Sequence, residues 1–517
     1  MNKKKNADTN IAAVISIGPD LIKMRISTIQ NGRIHDLDKL ESSTNLGHEI
    51  FNTNKISFEC LRAISVILRG YSTVLKEYGV INYRVISSTF FREAKNAAYV
   101  IDQLKIQNDM TLEVLEDGQE KSLIYSEIIK NIKNDKNKKT TLIAYIGASS
   151  IGVALFCKES IIFYQNVRIG SLKLHDLLGE IQDQTNDFHV VLEEYLDRMI
   201  GRINIPIEKE NIDNLIIAGS QIKLIEKFCG TKLGNKTYNI ESECIYNFYK
   251  TINTMTAETM GDKYILSQSE AELLFTSIAI YGKIINMTNL RSISSSQVEL
   301  WDAVMHQLLI PRNKLDFNKH VKESVINCAK VMADHYYCSK VHQGATYDYA
   351  TLIFDKMEKI HGLNERKRLL LELAIILHET GYYVNSKYPR ISSFDIIKNL
   401  ELYGLTKEEV LLVANIARYD ELNEPNDGVL EYSKLSEKNK LAVSKMVAIF
   451  RLANALDKSK KQKFKSIKIK LFEEKLIITV ESDENVYLEK WAFNKCVPFF
   501  EEVFGVNPQL VVKTLLF

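Results

Sequence analysis

IAAVISIGPDLIKMRIS (residues 11–27) and TLIAYIGASSIGVALF (residues 141–156) share one pattern: an apolar, β-rich run enters a glycine turn and a second run leaves it. Both read as β-hairpins whose glycine sits where the backbone must bend tightly. They are the only internal echo in the sequence, and each opens a block of similar content. The first is followed by helical spacing over residues 56–79 and by the strands NYRVISST (82–89) and TLEVLE (111–116). The second is followed by VVLEEYLDRMIGRI (190–203) and the strand DNLIIAGS (213–220). Two tandem α/β domains are predicted.

A length of 517 residues exceeds one ordinary domain and suggests three or four. The 67 basic and 65 acidic side chains leave almost no global field, so an anionic ligand must be held by a local site and no specific nucleic-acid binding is expected. The seven cysteines are scattered and never form a C-x-x-C pair, which argues for reduced thiols and a cytoplasmic location rather than a disulfide framework or a zinc knuckle. The N-terminal MNKKKNADTN reads as a solvated tail, and no segment is apolar for long enough to span a bilayer, so no membrane partner is expected.

Between the two blocks, NIKNDKNKK (131–139) suits an exposed linker. From about Leu308 the texture changes to long amphipathic helices, and the chain closes on strands at 464–482, a helix through WAFNKCVPFFEEVFG and a last strand QLVVKTLLF. The expected division is therefore 1–136 and 137–306 for the two α/β domains, 307–463 for a helical domain and 464–517 for a small α/β unit.

Tandem domains opened by glycine-turned hairpins resemble the actin/hexokinase (ribonuclease H-like) architecture, in which two turns close on a phosphate chain from opposite sides. Backbone amides in such turns can form an anion nest. Within that architecture, VISSTFFREAKNAAYVIDQL (85–104) resembles the A-T-x-x-x-R-x-A-x-N segment of the exopolyphosphatase and guanosine pentaphosphate phosphatase (Ppx/GppA) family, with Arg92, Ala94 and Asn96 in register. EVLEDGQEKSLIY (113–125) resembles its I-S-G-x-E-E-A-R-L segment. In the helical half, VHQGATYDYATLIFD, LAIILHETGYYV and VAIFRLANALDKS resemble three further family segments of an HD-like helical domain.

The resemblance implies a phosphohydrolase releasing terminal phosphate from inorganic polyphosphate or guanosine pentaphosphate, with Mg2+ as cofactor. Glu120 falls on the family's catalytic glutamate and would act as general base. Arg92 would hold phosphate through its planar fork. Gly18, Gly147, Ser149, Ser150, Gly170 and Gly219 would line the two cradles. Lys460, Lys461 and Lys463 would guide a long polyanion, or else form a solvated face. Relatives of this kind are often homodimers.

The pattern also departs from the family. Its D-L-G-S-N-S turn is Ser16-Ile17-Gly18-Pro19-Asp20-Leu21 here, and its D-I-G-G-G-S-T-E turn is Tyr145-Ile146-Gly147-Ala148-Ser149-Ser150-Ile151-Gly152. Serine is a poor ligand for a hard cation beside a carboxylate, and Pro19 removes an amide donor. The H-D dyad reads His378-Glu379, Asn454 replaces an aspartate, and Asp420 stands where the family has a histidine, so no metal is assigned to His342 or His378. The second activity consistent with these residues is a catalytically weakened sensor that binds polyphosphate or guanosine tetra- or pentaphosphate.

Overall fold

The computed structural model describes residues 11–132, 140–182, 185, 187–232, 237–310, 314–419, 423–426 and 428–513. Most of the expected linker at 131–139, and Asp420, lie outside them. The chain forms two compact units, Met1–Ser324 and Val325–Phe517.

The first unit holds two sheets of related order. One comprises β1 (Ile11–Ile17), β2 (Leu21–Gln30), β3 (Arg33–Ser43), β4 (Asn82–Ser87) and β5 (Leu112–Val114), ordered β3-β2-β1-β4-β5. The other comprises β6 (Thr141–Ile146), β7 (Ile151–Cys157), β8 (Ser160–Val167), β9 (Asn214–Gly219), β10 (Gly230–Lys232), β11 (Thr237–Glu241) and β12 (Ser292–Ser296), ordered β10-β11-β12-β9-β6-β7-β8. The run β8-β7-β6-β9-β12 repeats the run β3-β2-β1-β4-β5, with antiparallel hairpins on one side and parallel strands on the other. The two sequence echoes are β1-β2 and β6-β7, the hairpins on which each sheet is built. Their strands are apolar on both faces because helices cover both sides: Ala12 to Ile15 and Leu142 to Ala144 are fully buried.

Each hairpin is closed by the same bond, Gly18 N–H to Leu21 O at 2.9 Å and Gly147 N–H to Ser150 O at 2.8 Å. The helix Leu300–Leu309 returns to the first sheet and packs on β1 and β2. Arg25 on β2 pins it there, with its guanidinium 2.5 Å from Asp302 and 2.5 Å from Asp36.

In the second unit, the helices Lys340–Lys356, Glu365–Leu377, Lys407–Ala417 and Glu437–Ala455 pack together. The last of these also packs on the helix Tyr487–Phe504, beside a sheet of β13 (Ser466–Phe472), β14 (Lys475–Glu481) and β15 (Asn507–Lys513). Arg451 is buried at that junction, its guanidinium 5.0 Å from the Phe499 ring centre and 3.1 Å from Glu424.

Gly219 ends β9 with φ +110°, and a Cβ there would lie 2.0 Å from the Ile146 carbonyl oxygen. No L side chain fits that approach. Gly219→Ala is expected to destabilise the first unit by about 3 kcal/mol through strain and displacement of β9. Gly179→Ala, on an open helical position with nothing within 4 Å of the added carbon, is expected to stabilise it by about 0.5 kcal/mol. Urea titration of both variants checks the pair.

Candidate active-site cleft

A cleft of about 400 Å³ lies in the first unit between its two sheets. Strand ends and turns from both build it. Residues 16–21 contribute the first turn, residues 145–148 the second, and residues 219–224 the end of β9 with the following helix. Glu299 and Trp301 close one side, and Glu120 reaches in from the start of the helix Asp117–Ile132.

Glu120 is buried in the first helical turn, where the helix dipole favours a carboxylate. Burial raises its pKa above the ordinary 4.5; neighbouring Lys121 pulls it back and Asp117 pushes it further up. Its Oε1 lies 3.3 Å from Lys121 Nζ. Lys121 is itself fully buried, and its ammonium lies 4.9 Å from the centre of the Tyr145 ring. The next residue along a helix normally points elsewhere. The long lysine chain curls back, and the pair is the most buried pairing of opposite charges at the cleft.

The expected phosphate ligands divide into two groups. Gly18, Gly147 and Gly219 line the cleft together with Glu120. Ser149, Ser150, Gly170 and Arg92 do not line it. Ser149 and Ser150 are buried behind the second turn, and the Ser150 hydroxyl donates to Asp117 Oδ1 at 3.1 Å. A Cβ on Gly170 would lie 2.3 Å from the Gly147 carbonyl oxygen, so this glycine lets residues 170–173 pass beneath the second turn. Arg92 donates to the Val114 carbonyl at 2.7 Å and to Glu116 at 3.1 Å. Its fork is engaged with the chain's own acceptors.

Residues that the sequence reading did not single out carry much of the cleft's charge. Lys23 and Lys223 each lie 3.2 Å from a Glu299 oxygen, and Lys23 also lies 3.8 Å from Glu41. Asp20 lines the first turn. Burial holds its carboxyl above the ordinary range, with His48 opposing and Asp176 reinforcing the shift. Lys121 follows Glu120 directly, yet its significance depends on what stands opposite it in space, which adjacency in sequence does not reveal.

The family's turn motifs carry carboxylates at three positions that are Ser16, Tyr145 and Gly152 here. A Cβ on Gly152 would meet Tyr125 Oη at 2.4 Å and Lys121 Cδ and Cε at 3.1 Å each. The space is taken by the Tyr125 hydroxyl and the lysine methylenes. A hydroxyl, a phenol and a glycine beside an ammonium do not make the oxygen-rich anionic shell that magnesium selects. The residues present do not fit a magnesium ion at these positions.

In the second unit, His342, His378 and Glu379 converge, with ligand atoms all within 4.8 Å of one another. Sequence separation hid this meeting. His378 Nδ1–H donates to the Ile375 carbonyl at 2.6 Å, which leaves its buried Nε2 without a partner. His342 Nδ1 lies 2.7 Å from Asp457 Oδ2 and its Nε2 3.1 Å from Asn454 Oδ1. Glu379 is already satisfied by the Lys460 ammonium and, at 3.1 Å, by the Ser339 N–H. Lys463 pairs with Glu489 at 3.0 Å. Of the expected polyanion-guiding lysines, only Lys461 carries no ion pair within the described contacts.

Duplicated α/β lobes with a glycine-turned cleft between them define the actin/hexokinase-like class. The sequence matches the Ppx/GppA phosphatase family over residues 25–309, more than half of the chain, and that family's domain III over residues 326–495. The protein belongs to the Ppx/GppA phosphatase family. Similar solved structures include the Aquifex aeolicus member of the family, at 17% identity and TM-score 0.49 over 58% of this chain and 97% of that one. Another is an exopolyphosphatase from Cytophaga hutchinsonii, at 18% identity and TM-score 0.48 over 58% and 97%. No curated protein is matched by the sequence. Among the described residues no helix is long and apolar enough to cross a membrane.

Burial, with Arg390 and His342 adding to it, holds His378 well below its ordinary pKa of 6.5. The unfolded chain therefore binds this proton more readily, so the neutral imidazole contributes stability that is present above 6.5 and lost as pH falls from there through the folded value. The second unit is expected to melt at progressively lower temperature across that window, and His378→Leu to flatten the dependence. An unchanged slope in the variant would assign it to His361, whose pKa burial also lowers.

Proposed function

We propose that the protein is a phosphoanhydride hydrolase that releases terminal phosphate from inorganic polyphosphate or guanosine pentaphosphate. The observation that carries this reading is that Glu120 lines the same cleft as Gly18 and Gly147. Those turns offer backbone donors to phosphate oxygens, and phosphoryl transfer needs chiefly such positioning together with a group that orients water. A carboxylate whose pKa is raised by burial is the better general base near neutrality.

A second reading has its own support. Lys121 holds Glu120 in an ion pair, and the turn carboxylates are replaced by Ser16, Tyr145 and Gly152. Both features suit a cleft that binds the same phosphate chain and turns it over slowly or not at all, as a sensor would.

Phosphate release from long-chain polyphosphate and from guanosine pentaphosphate, with and without magnesium, separates the two readings. Hydrolysis by Glu120 predicts a loss of about 10²-fold or more in Glu120→Gln. It also predicts an acid limb of kcat/KM governed by a pKa above 4.5, with the rate falling as pH falls through it because the base becomes protonated. Release at background in both proteins, with ligand still bound, selects the sensor.

A further inference from the structure

We infer that Lys121 is a built-in cation standing in for a divalent metal, so that the cleft binds phosphate chains without magnesium. The inference rests on the phosphate-chain reading above and adds the means by which negative charge is met. Three observations meet at one place. The positions that carry carboxylates in the family's turn motifs hold none here. A fully buried ammonium lies beneath the second turn, its Nζ 3.7 Å from where a Cβ on Gly147 would be. Gly152 lacks the side chain whose first carbon would collide with Tyr125 Oη at 2.4 Å and crowd the Lys121 methylenes at 3.1 Å. Glycine at 152 thus leaves room for both the Tyr125 hydroxyl and the lysine chain.

The chemistry follows from the ammonium's charge. An ammonium has three N–H donors and no acceptor. Glu120 takes one at 3.3 Å, and the Tyr145 ring supports the charge from its face. Lys121 itself does not line the cleft; it lies behind the turn of Gly147 and Ala148, which does, so its charge acts on an oxyanion there through that turn. Lys23 and Lys223 line the cleft at its rim, held against Glu299. A charge held under a turn of backbone amides does for a bound phosphate what a metal does by neutralisation, without the metal's coordination of water.

The test uses the full-length protein and inorganic tripolyphosphate, with binding followed by calorimetry in EDTA and again with magnesium. Binding in EDTA that magnesium does not strengthen is expected. Lys121→Met should weaken it by about tenfold to a hundredfold, the order of a charge–charge interaction across a few ångströms of protein. Since removal of a buried charge can unfold a protein, Glu120→Gln is the independent variant. It retains the lysine and removes its internal counter-charge, and should tighten binding in EDTA. Magnesium-dependent binding, or binding in EDTA that neither variant alters, overturns the inference and leaves the phosphate-chain reading standing. No binding under either condition sinks that reading, and the inference with it.

Discussion

A buried ammonium cannot stand alone, and the cleft is organised around that constraint at Lys121. Withdrawing a charge from water costs several kcal/mol unless a partner and hydrogen bonds compensate. Glu120 supplies the opposite charge and the Tyr145 ring a polarisable face. Asp117, one turn earlier, is engaged by Ser150 from the second hairpin, which links the start of the helix to the turn above it. The Lys121–Tyr145 and Ser150–Asp117 contacts join the first block to the second. Those two contacts tie the helix Asp117–Ile132 to the second hairpin, and the charge pair sets the electrostatics of Glu120, which lines the cleft.

The two-lobed fold was legible because its cause is local and repeated. Two glycine-turned apolar hairpins demand sheets buried on both faces, and the strand orders of the two sheets repeat the echo seen in the sequence. Of the site, the glycines at 18, 147 and 219 and the carboxylate at 120 could be placed because a turn or a motif announces them. Arg92 illustrates what sequence withholds. Its guanidinium matches phosphate, and it equally matches the Val114 carbonyl and Glu116 that the fold sets beside it. A side chain's chemistry fixes what it can bind, and only packing decides what reaches it first. Gly170 is similar: its missing Cβ serves the passage of the chain under the second turn and is not exposed to the cleft.

His342, His378 and Glu379 show the same limit over longer range. The first stands on the helix Lys340–Lys356, while the other two follow the helix Glu365–Leu377, and neither periodicity points to their meeting. Within the cluster, Lys460 occupies a Glu379 oxygen. A lysine thus stands against a buried glutamate in both units, Lys121 at Glu120 and Lys460 at Glu379. Lysine is suited to this, being a compact point charge on a flexible stem that can reach a fixed carboxylate.

The exchange of a metal for a lysine has an asymmetric physical consequence. A divalent ion neutralises phosphate oxygens, orders water around itself and lowers that water's pKa. An ammonium supplies one positive charge and hydrogen bonds, and nothing that activates water. Ground-state binding is therefore better preserved by such an exchange than transition-state stabilisation, and only the latter raises the chemical rate. Glu120 stands on both sides of this division. As the counter-charge of Lys121 it is held in place, and as a base it must orient water and accept a proton. Every increment by which the lysine stabilises the carboxylate lowers its basicity, so the contact that makes the buried charge tolerable also limits hydrolysis.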